Sequence, residues 1–596
     1  MPELQFPLWG KAGHDTSDTH HSALLAHILA VAACFRALTQ DAVIQQRFTR
    51  LLDAPWEQHR TLLIWLAALH DVGKVDYRFQ RKRADVRAVL LGGEVESVFT
   101  GSYHHGEEGF HLFRKEALLP LQLPRPGGRH KSPEQELLKG FFQASCAHHG
   151  YYVQPGSEAT GSPESRDKQY AEQLSQILLD ALELALGPIP RNTNGHHQLP
   201  LVRHCARMSL LHYLAGLISL ADWLGSDEAV FPFIPCPEFE ARYPDAAGLA
   251  RLFDEYSQTA RQRIEAIGLF TPLQVDNATH SARTTLLGDW PPRPVQRWIL
   301  DKFQPAPDPG LLLIEAPMGD GKTEAALLAA GKWIDAQQAH GLVFALPTQA
   351  ATNQNHQRLF KLGGVWFNYS AALLHGSAGL LKSMKRDLQG HRQRAQDRPD
   401  EEASLHFSEW IGDSSKRAFL HPICAATVDQ LELAALLSKH NFVRAAALAR
   451  HVVVIDEIHA YDAYMETILG SLLQFLGATA TPTVLLSATL PPVARRLLLG
   501  AYARGAGVDI DSTPLDSNGY PLITQLHRGC IEQTIIPPTE DALPQSLTLV
   551  TLGEQSAEMG TDQFGGGLLY TLDFIQLWHR SPRLCGLWCQ QGHFEV

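Results

Sequence analysis

Histidine and aspartate occur inside otherwise apolar stretches of the N-terminal third of the chain. His27 lies within ALLAHILAVAA, and Asp222 lies within LAGLISLADWLG. An ionisable side chain on an apolar helix is costly to bury unless it has a partner. A single buried histidine is usually a hydrogen-bonded core residue, so the prediction of a site depends on further candidates.

The further candidates lie mostly in adjacent pairs. They are His70 and Asp71 in LIWLAALHDVGK, His105 in HHGEEG, and His148 with His149. Neighbouring residues on a helix point about 100° apart, so a pair can face one ion only where the helix ends. Gly73 follows the first pair and Gly150 follows the second, which predicts a helix end at both places.

The residue types indicate the chemistry. Imidazole combined with carboxylate suits a transition metal such as Mn, Fe, Ni or Co better than an all-oxygen magnesium site. A carboxylate such as that of Asp71 can bridge two ions, which would activate water and hold a scissile phosphate. These residues therefore predict hydrolysis of a phosphodiester or a phosphomonoester.

A second set of residues predicts nucleotide binding. APMGDGKTEAA, residues 316–326, follows an apolar run and precedes a helical one, the context of a phosphate-binding loop. The predicted loop residues are Gly319, Gly321, Lys322 and Thr323. Backbone N–H groups would cradle the phosphates, Lys322 would reach the terminal ones, and the hydroxyl of Thr323 would bind magnesium.

The stretch VVVIDEIHAYDAYM supplies the partners of that loop. Asp456 is predicted to hold magnesium, and Glu457 to orient or deprotonate the attacking water. His459 completes a DExH sequence. ATP with magnesium is therefore the expected second cofactor, beside a transition metal in the N-terminal part.

The two sets of candidate residues lie in parts of the chain with different patterns of apolar residues. The first 230 or so residues form successive apolar helices, whereas from about residue 285 short apolar runs alternate with helical stretches. The predicted fold is multidomain, an all-α domain followed by an α/β domain with a parallel sheet. The predicted limits are 1–284, 285–525 and an atypical tail at 526–596. The polar stretch 380–418 is expected to be an exposed insertion, which is more consistent with a solvated loop than with a DNA contact.

Composition narrows the class of protein. The chain has 596 residues, more than one core usually supports, and a formal net charge of −12, which excludes a uniformly basic surface. It has no run of eighteen apolar residues and no N-terminal secretion signal. We expect a cytoplasmic protein, with no membrane partner, whose cysteines stay reduced.

The order of the N-terminal residues, with the signature LHDVGK, resembles the HD phosphohydrolase superfamily. The resemblance implies these core ligands: His27, His70, Asp71 and Asp222. It implies these ligands for a second ion: His105, His148 and His149. It also implies that Lys74 meets the phosphate.

The second set of motifs, including LLSATLPP, resembles the first RecA-like lobe of superfamily 2 helicases. By this resemblance Gln296 would read the adenine. ALPTQAATNQ and ATVDQLELAAL resemble motifs that contact a nucleic-acid backbone, through Thr348, Gln349, Thr427 and Gln430. The threonines could equally be helix N-caps.

Together the two parts resemble the CRISPR-associated nuclease-helicases of type I systems, the Cas-three family, and HAYDAYM is most similar to the type I-E branch. Ala30 and Ala426 depart from residues common in that family. The resemblance implies a monomer recruited by the Cascade surveillance complex with its guide RNA. The HD site would cut the displaced single-stranded DNA of an R-loop, and ATP-driven 3′-to-5′ movement would feed the strand to it.

The end of the chain does not follow the family pattern. A second RecA-like lobe takes about 150 residues or more, but only 107 follow Thr489 and they contain no QxxGRxxR-like motif. The second lobe is therefore expected to be incomplete, through truncation, a frameshift or supply by another chain. Processive unwinding by this chain alone is not expected.

Two alternatives remain open. One is an HD phosphohydrolase of small nucleotides gated by the ATPase, which would act on nucleoside phosphates and not on DNA. The other is an inactivated scaffold that binds DNA or Cascade. The apparent strand-binding motifs count against the first alternative, and the complete set of candidate ligands counts against the second.

Overall fold

The computed structural model describes the greater part of the chain. The described residues are 8–12, 21–91, 98, 103–114, 133–152, 179–188, 200, 202–269, 286–308, 310–347, 352, 372–374, 419–436, 438–461, 463–510, 513, 515, 519–527 and 530–537. Residues up to Pro537 form one compact unit. The predicted insertion at 380–418 and all of the tail after Pro537 lie outside the described residues.

The N-terminal part is helical, as predicted. A short antiparallel hairpin, β1 (Trp9–Ala12) with β2 (His21–Ala23), precedes the helices. The helices are α1 (Leu24–Leu38), α2 (Ala42–Leu52), α3 (Trp56–Ala68), α4 (Tyr77–Gln80), α5 (Ala84–Leu91), α6 (His105–Arg114), α7 (Pro133–Ser145), α8 (His204–Gly225), α9 (Cys236–Arg242) and α10 (Ala246–Ala266). Every residue of α1 except Arg36 is buried, which is why its sequence is apolar on all sides.

The second part is an α/β domain, also as predicted. Its helices are α11 (Pro294–Asp301), α12 (Lys322–Asp335), α13 (Val428–Glu432), α14 (Asn441–Leu448), α15 (Ala463–Ala478) and α16 (Pro492–Ala506). Its strands are β3 (Leu311–Glu315), β4 (Gly341–Leu346), β5 (Ala372–Leu374), β6 (Ile423–Thr427), β7 (His451–Ile455), β8 (Thr483–Ser487), β9 (Leu522–His527) and β10 (Cys530–Ile535). They form one sheet in the order β10-β9-β3-β8-β7-β4-β6-β5.

The sheet is parallel from β3 to β5, but β9 and β10 are antiparallel additions. The predicted parallel sheet is present, and the sequence analysis did not predict this antiparallel edge. An antiparallel pair needs only a short turn, whereas a parallel pair needs a crossover of a dozen or more residues, and only positions 528 and 529 separate the two strands. The last strand of the sheet ends at Ile535, ten residues after the predicted domain limit at 525. The other domain limits stay predictions.

Both faces of the sheet are buried. In β3, Leu311 and Leu313 face the same core as the helical part, whereas Leu312 and Ile314 face a core made with α11 and α12. The helical and α/β parts therefore share a continuous apolar core. Among the described residues, no single helix is both long and apolar enough to cross a membrane, and only the bent pair of α1 with α2 meets these criteria together.

A buried arginine joins the two parts. The guanidinium of Arg47 on α2 donates from Nε to the carbonyl of Ala449 at 2.9 Å and from Nη2 to that of Gln338 at 2.6 Å. Nearby, Nε2 of His340 lies 2.9 Å from a carboxylate oxygen of Asp41. These buried polar contacts fix the orientation of the helical part on the sheet domain.

Candidate metal centre and nucleotide site

Two apolar helices present the first histidine and the last aspartate of the predicted set. His27 lies on α1 and is 4% exposed, and Asp222 lies in the last turn of α8. Nε2 of His27 is 3.6 Å from Oδ1 of Asp222. Ser226 donates to the same oxygen at 3.0 Å. The packing of α1 against α8 thus brings together residues that are far apart in sequence.

His70 and Asp71 lie at a helix end, as the position of Gly73 predicted. Helix α3 stops at Ala68, and a 3-10 helix, Leu69–Val75, carries both residues into the interior. Nδ1 of His70 donates to the carbonyl of Ala67 at 2.8 Å. Because that bond fixes the ring, Nε2 faces the site, 3.7 Å from Oδ1 of Asp222.

The remaining histidines come from two further helix ends. His105 begins α6, and a 3-10 helix after α7, Cys146–His149, ends with His148 and His149. Nε2 of His105 lies 2.6 Å from that of His149 and 3.4 Å from that of His148. Gly150 ends this 3-10 helix in a left-handed conformation. His148 and His149 therefore also lie at a helix end, as predicted.

Gly73 allows these segments to approach closely. A Cβ at that position would lie 1.9 Å from the carbonyl oxygen of His105 and 2.7 Å from the backbone nitrogen of Gly109. Both contacts are with backbone atoms, which have no alternative rotamer. Glycine at position 73 is therefore required for the segment carrying Asp71 to reach α6.

Asp71 stands between two groups of candidate ligands. Its Oδ2 faces the first group, at 3.1 Å from Nε2 of His27 and 3.4 Å from that of His70. Its Oδ1 faces the second group, at 3.1 Å from Nε2 of His105 and 3.4 Å from that of His148. In each group the ligand atoms lie within 4.8 Å of one another. The first group is His27, His70 and Asp222; the second is His105, His148 and His149.

The electrostatics leave most of these imidazoles neutral. Burial lowers the pKa of His27 to about 3, that of His105 to about 4 and that of His149 to about 3. Burial also opposes protonation of His70, but the neighbouring carboxylates outweigh it and raise the pKa of His70 to about 9. A cation bound at His70 would therefore displace a proton, whereas the other three rings already offer lone pairs.

Burial alone would raise the pKa of Asp71, but Lys74 and the imidazoles hold it well below its usual value. Nζ of Lys74 lies 2.6 Å from Oδ2 of Asp71 and donates to the carbonyl of Gly10 at 3.1 Å. The carboxylate is therefore ionised although it is 1% exposed. Lys74, predicted to meet the phosphate, is placed against the carboxylate between the two ligand groups.

The ligand set fits a divalent transition metal. Within the described part of the chain, Nε2 of His27, Nε2 of His70 and Oδ1 of Asp71 are buried and make no hydrogen bond of acceptable angle. Native proteins rarely leave such groups unsatisfied. Imidazole nitrogens with carboxylate oxygens are the donors that these metals accept.

The phosphate-binding loop connects β3 to α12, the context that its sequence predicted. Gly319 and Gly321 have positive φ angles of 79° and 75°. Lys322 begins α12 and donates from Nζ to the carbonyl of Ala316 at 2.8 Å, and burial lowers its pKa. A cleft of about 740 Å³ lies over the loop, bordered by Lys322 and Thr323.

The acidic pair borders the same cleft from the end of β7. Burial and the neighbouring Glu457 raise the pKa of Asp456 to about 6. Nδ1 of His459 lies 3.3 Å from Oε2 of Glu457 and 3.4 Å from the hydroxyl of Ser487. His459 thus connects the acidic pair to the stretch LLSATLPP at the end of β8.

Gln296, predicted to read the adenine, lies against the loop. Its Nε2 donates to the carbonyl of Gly321 at 3.2 Å, and its Oε1 accepts from the backbone of Arg293 at 3.0 Å. Both ends of the amide are therefore engaged with backbone, and the side chain borders the cleft. Reading of adenine by Gln296 stays a prediction.

The predicted strand-contacting residues are only partly described. Thr348 and Gln349 lie outside the described residues. Thr427 is the N-cap of α13, but its side chain makes no capping hydrogen bond and is 2% exposed. Gln430 accepts from Arg444 at 3.4 Å. A nucleic-acid role for these residues stays a prediction.

The sequence analysis missed several residues around the metal centre. Lys11 on β1 borders a small cavity with His27 and interacts electrostatically with Asp222. The hydroxyl of Tyr103 donates to the carbonyl of Gly73 at 2.5 Å. No local pattern marks either residue. Ser226 could have been found, because it follows Asp222 by one helical turn.

Comparison with known proteins identifies relatives of this chain. Residues 9–231 match the family described as "Cas3, HD domain". The chain is 30% identical over 554 residues to the CRISPR-associated endonuclease/helicase Cas3 of Escherichia coli (strain K12), which covers 86% of this chain and 57% of the relative. It is 31% identical over 594 residues to the endonuclease/helicase Cas3 of Thermus thermophilus, which covers 95% of this chain and 58% of the relative.

The fold gives the same result. The crystal structure of T. fusca Cas3 with AMPPNP superposes with a TM-score of 0.68 at 26% identity, over 89% of this chain and 56% of that chain. The chain spans little more than half the length of these relatives. Residues 9–231 therefore match an HD domain of the Cas3 type, and the chain is similar in sequence and fold to Cas3 nuclease/helicases over the part of their length that it spans.

Proposed function

We propose that this chain is a metal-dependent nuclease that cuts single-stranded DNA, joined to an ATP-binding helicase lobe of the CRISPR type I kind. The observation that supports the nuclease is the position of Asp71, whose two oxygens face two separate groups of metal-type ligands at 3.1–3.4 Å. One carboxylate between two such groups suits hydrolysis of a phosphodiester with two ions.

Each residue of the centre has a proposed role. A divalent transition metal (Mn, Ni, Co or Fe) would supply Lewis acidity and an activated water when bound. The first ion would be held by His27, His70, Asp71 and Asp222. The second would be held by Asp71, His105, His148 and His149. Lys74 would keep Asp71 ionised before an ion binds and would remain close enough to attract a phosphate.

The α/β lobe would bind ATP with magnesium. Lys322 and Thr323 would contact the phosphates and the ion, together with Asp456. Glu457, whose Oε2 lies 3.3 Å from Nδ1 of His459, would position the attacking water. The proposal includes 3′-to-5′ movement along DNA and recruitment by Cascade with its guide RNA, because the resemblance of the sequence motifs implies both. It also places the protein in the cytoplasm. Unwinding by this chain alone is not part of the proposal.

The test is cleavage of circular single-stranded DNA with Mn²⁺, Ni²⁺ or Co²⁺, with and without Mg-ATP. We expect Asp71→Ala to lower the cleavage rate at least about 100-fold, since a bridging ligand is lost. Binding of a fluorescent ATP analogue should not change, because Asp71 lies outside the ATP cleft. Lys302→Ala, a change at an exposed residue directly after α11, is the control.

Other outcomes would overturn the proposal. Cleavage by Asp71→Ala at the wild-type rate would exclude this centre as the nuclease. Hydrolysis of nucleoside phosphates without cleavage of DNA would favour the small-nucleotide hydrolase, and no hydrolysis of either substrate would favour the scaffold.

A further inference from the structure

A short segment of the α/β part, residues 438–442, lies against the elements that carry the candidate metal ligands. The backbone N–H of His440 donates to the carbonyl of Gly150 at 3.0 Å, and Gly150 directly follows His149. The ring of His440 packs edge-on against that of Trp223, with centroids 5.4 Å apart, and Trp223 directly follows Asp222. One residue therefore contacts the neighbours of ligands from both groups.

The contact at Gly150 is tight. Gly150 has a φ of 109°, and a Cβ there would lie 2.6 Å from Cγ of Lys439 and 3.0 Å from the ring of His440. Glycine is favoured at position 150 because it has no Cβ, so it adopts this positive φ without strain and leaves room for Lys439. The turn that follows His148 and His149 is thus pressed against the α/β part and has little freedom to move.

The segment 438–442 is itself well held. The hydroxyl of Ser438 donates to the carbonyl of Leu433 at 3.0 Å, and the side-chain amide of Asn441 donates to that of Leu436 at 2.6 Å. His440 is 5% exposed and has a φ of 60°, the left-handed region that most side chains avoid. A residue kept in this conformation at a packed contact is a candidate for a role beyond filling space.

Packing on the adjacent helices supports the same contact. A Cβ at Gly216 of α8 would lie 2.3 Å from the carbonyl oxygen of Phe442 and 2.6 Å from the Cβ of Ala446 on α14. Helix α8, whose last turn carries Asp222, therefore packs closely against α14 at Gly216. The segment 438–442 begins this interface and joins it to the turn after His149.

We propose that His440 is a positioning residue of the metal centre. Through it, the α/β part would increase the metal affinity of the ligands carried by the helical part. His440 would hold the turn bearing His148 and His149 through Gly150, and the end of α8 bearing Asp222 through Trp223. This inference rests on the proposed function, since it requires that the centre binds a metal. Outer contacts of this kind typically change metal affinity by about 10- to 100-fold.

The test is Mn²⁺ binding to the full chain by titration calorimetry, with no DNA and no ATP. The variants are His440→Asn, His440→Ala and His440→Val. Asn tolerates the left-handed conformation and keeps the backbone hydrogen bond, whereas Val strongly disfavours it. We expect the affinity to fall in the order wild type, Asn, Ala, Val, with a loss of at least about tenfold for Val.

His340→Ala is the matched control. His340 is also a buried histidine between the two parts, but its contact is Asp41 at the start of α2, which carries none of the candidate ligands. We expect its Mn²⁺ affinity to stay within about twofold of wild type. Circular dichroism checks folding, and if His440→Val does not fold, the order of wild type, Asn and Ala is the test.

Two outcomes would overturn the positioning role. One is Mn²⁺ affinity within about twofold of wild type for every folded His440 variant, and the other is an equal loss in His340→Ala, which would indicate a general loosening of the interface. Failure of the proposed function looks different, because then wild type would bind no Mn²⁺, or would bind it no more tightly than Asp71→Ala.

Discussion

Nζ of Lys74 lies 2.6 Å from Oδ2 of Asp71, the oxygen that also faces His27 and His70. Both partners of this ion pair are buried. The lysine thus supplies one positive charge at the place where the proposed function puts a metal ion. Stability and metal binding should therefore be linked through this pair.

Lys74→Met should lower the free energy of unfolding of the metal-free chain by about 3 kcal/mol, because it leaves a buried carboxylate without its cation. Mn²⁺ should restore much of this loss and raise the melting temperature of the variant more than that of wild type. Thermal unfolding with and without Mn²⁺ measures both effects. Lys302→Met, at an exposed position directly after α11, should have little effect, and an equal loss there would contradict the explanation.

His149→Ala should remove about one of two bound Mn²⁺ equivalents. His149 belongs to the second group of ligands, whereas the first group, His27, His70 and Asp222, is untouched by the change. Asp71→Asn should weaken both equivalents, because Asp71 faces both groups. Titration calorimetry or metal analysis gives the stoichiometry, with His59→Ala on α3 as a control. Loss of both equivalents in His149→Ala would mean that the groups do not bind separately.

Gly73→Ala should destabilise the chain by at least about 3 kcal/mol, because the new Cβ would collide with the backbone of His105 and Gly109. Mn²⁺ affinity should fall with it, since the segments bearing Asp71 and His105 must separate. Gly470→Ala on α15 is the control. A Cβ there would meet its nearest atom at 3.9 Å, so the melting temperature should be unchanged or slightly raised.

Binding of Mg-ATP should weaken as the pH falls below about 6. Burial and Glu457 raise the pKa of Asp456 to about 6, so its carboxylate, the predicted magnesium ligand, becomes protonated and neutral below that pH. In the folded chain Asp456 therefore binds its proton near pH 6, whereas an Asp in the unfolded chain binds one only near pH 4. Burial of this carboxylate therefore costs stability at neutral pH, and the cost decreases as the pH falls.

Fluorescence titration of an ATP analogue with Mg²⁺ between pH 5 and pH 8 measures this effect. Asp456→Asn should bind more weakly at every pH and lose the transition near pH 6. A transition of the same size in the variant would assign it to another group.

Much of the site could be predicted from residue types alone. An ionisable residue on an apolar helix requires a partner, so His27 and Asp222 stood out. The glycines after the two pairs marked helix ends, and the structure has 3-10 segments at both places. The loop between β3 and α12 was predicted because its conformation depends on local residues. These inferences succeeded because each depends on neighbours in sequence.

Other features depend on contacts between distant segments. The addition of β9 and β10 to the sheet, the position of Lys11 beside Asp222 and the engagement of Gln296 with the phosphate-binding loop have no local pattern. The contact between His440 and Gly150 joins residues almost 300 positions apart. No periodicity or spacing could have indicated these pairings.

The sequence by itself determined which side chains are available for metal and nucleotide chemistry, and which of them lie at helix and strand ends. Only the tertiary structure decided that Asp71 stands between two groups of ligands, with Lys74 on one of its oxygens. The physical reason is that side-chain type and helix termination are local properties. Distances between ligands depend on how α1, α6 and α8 pack, and that packing is set by the whole core.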